Sequence, residues 1–160
     1  MFREVRKKKN AISIEEAQEV LTNARYGIMS VTGDDGYAYG MPLNFYYDKE
    51  ANRIFFHTLA TGYKVSAIKA NDKVCFTAVG PEVAKDPEEP WAPYVKSAVV
   101  FGRCHLIEDR EEVINRVRQF ALKYYPDADL VEEVIAEDGK AVSICEIEIE
   151  HMTGKEVQER

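Results

Sequence analysis

YGIMSVTGDDGYAYGMPLNFYYDKEANRIFFHT, residues 26–58, decides the fold. Strand-forming runs in it are cut by GDDG and by DKEAN, both turn compositions. The spacing predicts a three-strand meander over residues 26–32, 37–48 and 53–58. Pro42 lies inside the second run. It has no N–H to donate to a ladder, so it places that run at a sheet edge or at a bulge. A bulge or an edge leaves backbone groups unpaired, and such groups can face a ligand.

Upstream, SIEEAQEVLTNAR predicts a helix. Ser13 caps it, Glu16 completes a capping box, and Ile14, Ala17, Leu21 and Ala24 share one face. Downstream, GYKVSAIKAN predicts a short helix and KVCFTAVG a compact strand. Residues 81–93 (PEVAKDPEEPWAP) hold four prolines, four acidic residues and Trp91. They form a loop, long for so small a domain and therefore a candidate for function. Strand character resumes in YVKSAVVFGRCHLIED, where Gly102 marks a bulge or a close approach. DREEVINRVRQFALKYYP is a helix capped by Asp109, with Glu112 at the capping-box position and an apolar stripe of Val113, Val117, Phe120, Ala121 and Tyr124. ADLVEEVIAED is a further helix. AVSICEIEIEHM alternates Cys145, Ile147 and Ile149 against Glu146, Glu148 and Glu150, a strand with one buried and one wet face. The total is six strands and four helices. The strands arrive mostly as hairpins rather than as β-α-β units. That predicts an antiparallel sheet closed, or nearly closed, into a barrel with helices packed outside it.

The chain has 160 residues, read as a single domain over 1–160 with a basic, solvated N-terminal tail over 1–10. Its net charge of −7 argues against a general nucleic-acid binder. No apolar run has the length of a membrane span, and the N-terminus lacks the apolar segment of a signal peptide. Cys75, Cys104 and Cys145 form no C-x-x-C pair and are read as reduced thiols of a cytoplasmic protein. The three histidines have no metal-ligand spacing, so no metal site is expected.

Three stretches carry candidate chemistry. In FFHTLATGYKVSAIKAN, residues 55–71, a strand stops and a helix starts. A helix N-terminus carries about half a positive charge, so Lys64 in the first turn is unfavourable unless an anion sits nearby. Gly62 permits a tight turn, Thr58 and Thr61 offer hydroxyl donors, and Lys64 supplies a point charge suited to phosphate. Local physics leaves a solvated turn and an anion site equally open. YAYGMPLNF offers an aromatic strand against which a planar ring could lie, or plain core packing. YVKSAVVFG offers Lys96 and Ser97 to an anion, or an exposed strand start.

Taken together and in this order, the stretches resemble the FMN-binding split-barrel family of pyridoxamine 5′-phosphate oxidases, and within it the 5-nitroimidazole-resistance (Nim-type) branch. The most specific part is FHT…G.K…A…N..VCF. The resemblance implies a six-stranded antiparallel Greek-key split barrel that forms a homodimer with FMN at the subunit interface. It implies that Thr58 and Lys64 contact the FMN phosphate, and Thr61 and Gly62 of the same turn are read as cofactor-binding with them. Tyr39, Met41, Pro42, Leu43 and Asn44 line the flavin ring, and His57 sits beside it as the candidate catalytic group. Lys96 and Ser97 reach the cofactor, from the partner subunit; here the family's Tyr-Arg-Ser-Val is replaced by YVKSAVV. The implied activity is reduction of small nitroaromatic compounds. The alternatives are a non-catalytic flavin, haem or deazaflavin carrier, and a pyridoxamine 5′-phosphate oxidase-like enzyme. Trp91 is either a lid over a flat substrate or a packing anchor.

Overall fold

The computed structural model describes residues 1–158. A 3-10 turn (Lys8–Asn10) leads into β1 (Ala11–Ile12) and α1 (Ile14–Asn23). The meander follows as β2 (Gly27–Thr32), β3 (Ala38–Leu43), β4 (Tyr46–Asp48) and β5 (Arg53–Thr58). Then come α2 (Tyr63–Ala70), β6 (Lys73–Val83), β7 (Tyr94–Leu106), α3 (Arg110–Tyr124), α4 (Ala128–Asp138) and β8 (Ser143–Gln158). The six expected strands are all present. The count rises to eight because Asn44 and Phe45 interrupt the second strand of the meander and because β1 makes a short pairing with β8.

All strand pairs are antiparallel, in the order β3-β2-β6-β7-β8-β5-β4. The two edge strands, β3 and β4, are consecutive in the chain and only two residues apart. Six inter-strand spacings would hold the edges roughly 29 Å apart in a flat sheet. Three Cα steps span at most about 11 Å. The sheet must therefore curl until its edges meet without pairing, which is a split barrel. Pro42 lies on the β3 edge, where its missing N–H costs nothing.

The barrel interior is packed with Leu21, Met29, Phe45, Ile54, Phe56, Phe76, Val100 and Ile147. Phe45 and Phe76 meet edge to face at 4.8 Å. α1 plugs this core through Ala17, Val20 and Leu21. Its capping box is complete: Glu16 N–H donates to Ser13 Oγ (3.1 Å) and Ser13 N–H to Glu16 Oε2 (3.0 Å). Asp109 caps α3 through Glu112 N–H (2.8 Å). The Glu112 carboxylate does not return to that cap; it lies 3.6 Å from Arg116. α3 covers a second apolar cluster on the opposite face of the sheet, built on Phe55, Val113 and Ile144.

Gly102 is a close approach and a bulge together. The β7–β8 register shifts between Phe101 and Gly102, and a Cβ at Gly102 would lie 2.2 Å from the Glu148 carbonyl oxygen. β8 keeps its predicted alternation of facing, with Cys145 and Ile147 inward, but its outer face is not wet at Glu146. That residue is 2% exposed, ion-paired with Arg53 from β5 and 3.4 Å from His105 of β7. The two flanking strands bring these partners over it. The expected loop over 81–93 begins later, because β6 continues through Val83 after a register shift between Val79 and Glu82. Within the loop the anchor is Ala92, 3% exposed and accepting a hydrogen bond from Gln158 (3.2 Å); Trp91 is 73% exposed and packs nothing down. Most of the first ten residues are exposed, yet Phe2 stacks on His151 at 4.9 Å. Among the described residues no helix is long and apolar enough to cross a membrane.

Candidate functional site

Among the described residues α2 is the one α-helix of four whose start has no side-chain cap. α1, α3 and α4 begin at Ser13, Asp109 and Asp127, each accepting from the backbone three residues on. α2 begins at Gly62 with no cap and no acidic residue in its first turn. Its leading N–H groups and its positive dipole end are thus offered outward. Gly62 has φ 111°, a conformation that other residues resist, and a Cβ there would meet nothing within 4 Å. The backbone passes this corner with open space in front of it.

The residues on either side of Gly62, Thr61 and Lys64, line a cleft of about 620 Å³. One wall is His57, Thr58, Leu59, Thr61 and Lys64; the other is Asp138, Ala141 and Val142, from the end of α4 and the approach to β8. Lys64 Nζ stands 5.1 Å over the Phe56 ring, whose face attracts the ammonium. The His57 ring meets Phe120 of α3 edge to face at 5.0 Å. Although His57 is still solvent-accessible, partial desolvation lowers its pKa below 6.5, and the positive charge of Lys64 pushes the same way. The ring is therefore neutral at pH 7.

The structure gathers His57, Thr58, Thr61 and Lys64 about one cleft, which Gly62 itself does not line. It treats the β3 residues differently, because side chains alternate across a strand. Met41 points into the core and is 8% exposed, and Leu43 packs against the same core. Met41 is thus turned to the core, while Leu43 keeps partial exposure. Asn44 donates to the Arg25 carbonyl (3.1 Å). Pro42 and Tyr39 are exposed, and the Tyr39 ring meets Tyr63 of α2 edge to face at 5.1 Å. Tyr63 OH donates to Asp34 (3.0 Å), which pins the GDDG turn and β3 against the start of α2. None of the four β3 residues, nor Asn44 just after them, lines the 620 Å³ cleft.

Lys96 and Ser97 are separated by the same alternation. Lys96 forms an ion pair with Glu16 of α1 at 2.8 Å. Ser97 faces the other way, 3.5 Å from the Lys155 carbonyl. A ligand on one face of β7 cannot take both side chains. Phe120 and Asp138 were missed as site residues. Phe120 carried a signal, since it lay on the apolar stripe of α3, but a stripe does not say which strand it meets. Asp138 carried none; it reaches the cleft only because the α3–α4 hairpin folds back over β5.

Among curated proteins none matches the chain. Among solved structures, a candidate 5-nitroimidazole antibiotic resistance protein of Bacteroides thetaiotaomicron superposes with a TM-score of 0.76 at 20% identity, over 92% of this chain and 87% of that one. The flavocytochrome Anf3 of Azotobacter vinelandii has a TM-score of 0.76 at 18% identity, over 94% and 71%. A FAD-binding protein of Mesorhizobium loti has 0.63 at 22%, over 92% and 96%. These likenesses establish the fold. The family model described as pyridoxamine 5′-phosphate oxidase matches residues 13–156, nearly the whole length, and the chain belongs to that family.

Proposed function

We propose that this chain binds FMN as a homodimer, with the cofactor at the subunit interface, and acts as an oxidoreductase on small aromatic compounds, nitroaromatics among them. The observation that carries the reading is the uncapped start of α2 with Lys64 in its first turn. Free N–H groups, the helix dipole, two threonine hydroxyls and an ammonium together suit a phosphate. The open corner at Gly62 leaves room for one. The residues present thus fit the phosphate end of a flavin. When bound, a flavin supplies the electron transfer. Lys64 balances the phosphate charge. His57, neutral at pH 7, offers one donor and one acceptor nitrogen without adding charge. Tyr39 offers an exposed aromatic surface beside the same helix start, and the β3 edge offers unpaired backbone groups.

The structural likenesses support the reading at one remove: one neighbour is named for nitroimidazole resistance, one as a flavocytochrome and one for FAD binding. The dimer is supported by the outward face of β2, β6 and β7. Its cross-strand rows Pro42–Ile28–Thr77–Val99 and Gly40–Ser30–Cys75–Phe101 contain no Asp, Glu, Lys or Arg, and α1 and α2 meet these strands through residues of the barrel core.

The test is direct. The purified protein is expected to show flavin absorption and to release FMN on denaturation. A Soret band would instead support a haem carrier, and FAD in the released fraction would correct the cofactor. Lys64→Ala is expected to weaken FMN binding by about tenfold or more, the loss of one charge-assisted hydrogen bond. A colourless protein that takes up no FMN, or an unchanged affinity in the variant, overturns the reading.

A further inference from the structure

Cys104 of β7 and Cys145 of β8 are free thiols, fully buried, and both belong to the barrel core. The β7–β8 register sets Cys104 opposite Ile147 and Leu106 opposite Cys145. The two cysteines are therefore diagonal neighbours on one face of adjacent strands. No spacing in the sequence announces the pair, because that register alone makes it. The thiols interact directly. Cys104 S–H donates to the Cys145 sulfur, which lowers the pKa of Cys145 and raises that of Cys104. Burial opposes the thiolate at both, and the positive charge of Lys64 favours it at both.

A cavity of about 430 Å³ reaches the pair and shares no residue with the Lys64 cleft. Both cysteines line it, with Val65 and Ile68 of α2. Lys69 and Glu108 line it too and are exposed, so it opens to solvent. A single buried thiol behaves as a small hydrophobe. Two thiols side by side at the floor of an opening are a soft donor set once their protons leave. Diagonal neighbours lie about 7–8 Å apart at Cα. A disulfide spans roughly 4.4–6.8 Å, whereas an ion with two metal–sulfur bonds of about 2.3 Å fills a wider gap. Among the described residues no third His, Cys, Asp or Glu completes a metal-binding group with them. Structural zinc takes four ligands, and hard ions take oxygen. Two thiolates alone suit a soft monovalent ion that accepts linear coordination, which is Cu(I). Two thiolates around Cu(I) leave one negative charge, and Lys64 is placed to offset it.

We propose that Cys104 and Cys145 form a two-coordinate site for Cu(I), reached through the cavity between α2, the end of β7 and the start of β8. Binding joins one Cu(I) to both sulfurs and releases their two protons to solvent. The metal keeps its oxidation state, and only the two S–H bonds break.

Anaerobic equilibrium dialysis of the reduced, full-length protein against Cu(I) buffered by bicinchoninate tests this. The wild type is expected to hold one copper per chain. X-ray absorption at the copper edge should show two sulfur neighbours and no nitrogen or oxygen. Cys104→Ala and Cys145→Ala should each weaken binding by more than about a hundredfold, since even a group one step removed from a metal is worth about 10–100-fold. Cys75→Ala should leave it unchanged. Circular dichroism and thermal melting check that each variant folds, with Cys104→Ser and Cys145→Ser as second replacements; the absorption spectrum of the wild type needs no variant. A dialysed wild type without copper overturns the proposal, as does unchanged affinity in both core-cysteine variants. Loss of copper in Cys75→Ala assigns the ion to that thiol instead. A nitrogen or oxygen neighbour in the spectrum overturns the two-sulfur site. An intact mass lower by two hydrogens before reduction, kept in Cys75→Ala, would show a Cys104–Cys145 disulfide and make the pair a redox couple rather than a metal site. Flavin content is measured separately on the same samples, so the copper site and the flavin reading each stand or fall alone.

Discussion

His57 is where the chemistry of the Lys64 cleft can be read from a single residue. Its pKa is lowered by desolvation first and by Lys64 second. A histidine whose folded value lies below its unfolded value of 6.5 makes folding less favourable as pH falls through that value, because the unfolded chain takes up the proton first. The ring is free of this penalty above pH 6.5 and bears it increasingly below. Protonation would also set a second positive charge beside Lys64. An NMR titration of the His57 ring should therefore give a midpoint below 6.5 in the wild type. The midpoint should rise in Lys64→Ala, and it should rise again when phosphate or FMN is added to the wild type, because either change offsets the charge of Lys64. A midpoint indifferent to both would mean that His57 does not feel Lys64, and the two residues would no longer form one site.

At the scale of the element, the last turn of α3 holds the seam of the barrel. Lys123 Nζ donates to the carbonyls of Ala24 (2.7 Å) and Phe45 (3.1 Å). Burial, with Arg25 nearby, pushes its pKa down to about 8. Tyr124 OH accepts from Phe45 N–H (2.9 Å) and lies 2.8 Å from the Arg25 carbonyl. Both side chains thus join the Asn44–Phe45 break between the edge strands to the end of α1. Tyr124→Phe strands the Phe45 N–H in a partly buried site and should cost about 1–3 kcal/mol in urea unfolding. An unchanged midpoint would show that water replaces the hydroxyl and that the seam does not depend on α3. The helix itself was legible, from the Asp109 cap and a stripe of period 3.6. What it closes was not, because the partners of Lys123 and Tyr124 lie 78–99 residues away in the chain. The same limit hid the covering of Glu146 by Arg53, 93 residues away, and the arrival of Asp138 opposite Lys64. Turn chemistry at GDDG and DKEAN, caps and alternation are local, and they predicted the strands well. The split of the second strand at Asn44–Phe45 was missed because a single turn-forming Asn44 stood in an otherwise strand-like run. The two residues leave it because the sheet must close on itself there.

The whole molecule distributes its cover unevenly. α3 shields the outer face over β5 and β8, whereas the outer face of β2, β6 and β7 has only the N-terminal segment at its β7 side. Ile28, 50% exposed, lies in the middle of the bare part, flanked by Pro42 and Thr77. Two adjoining cross-strand rows without formal charge, bounded by Lys73 and Arg103, are poorly suited to remain in water and well suited to a two-fold contact, in which each copy meets the same surface on the other. The proposed dimer uses this face, so Ile28→Lys should break it. The substitution sets two ammonium groups near each other across the axis and buries them unpaired, which costs several kcal/mol and should weaken association by roughly a hundredfold or more. Light scattering on the eluting protein should then report a monomer where the wild type gives a dimer, and the monomer should retain less flavin. Leu130→Lys, at a similarly exposed apolar residue on α4 (46%), should stay dimeric and keep its flavin. A wild-type monomer, or a dimer that survives Ile28→Lys, would move the interface elsewhere. A monomer that keeps its full flavin content would show that one copy of the Lys64 cleft is complete without the other.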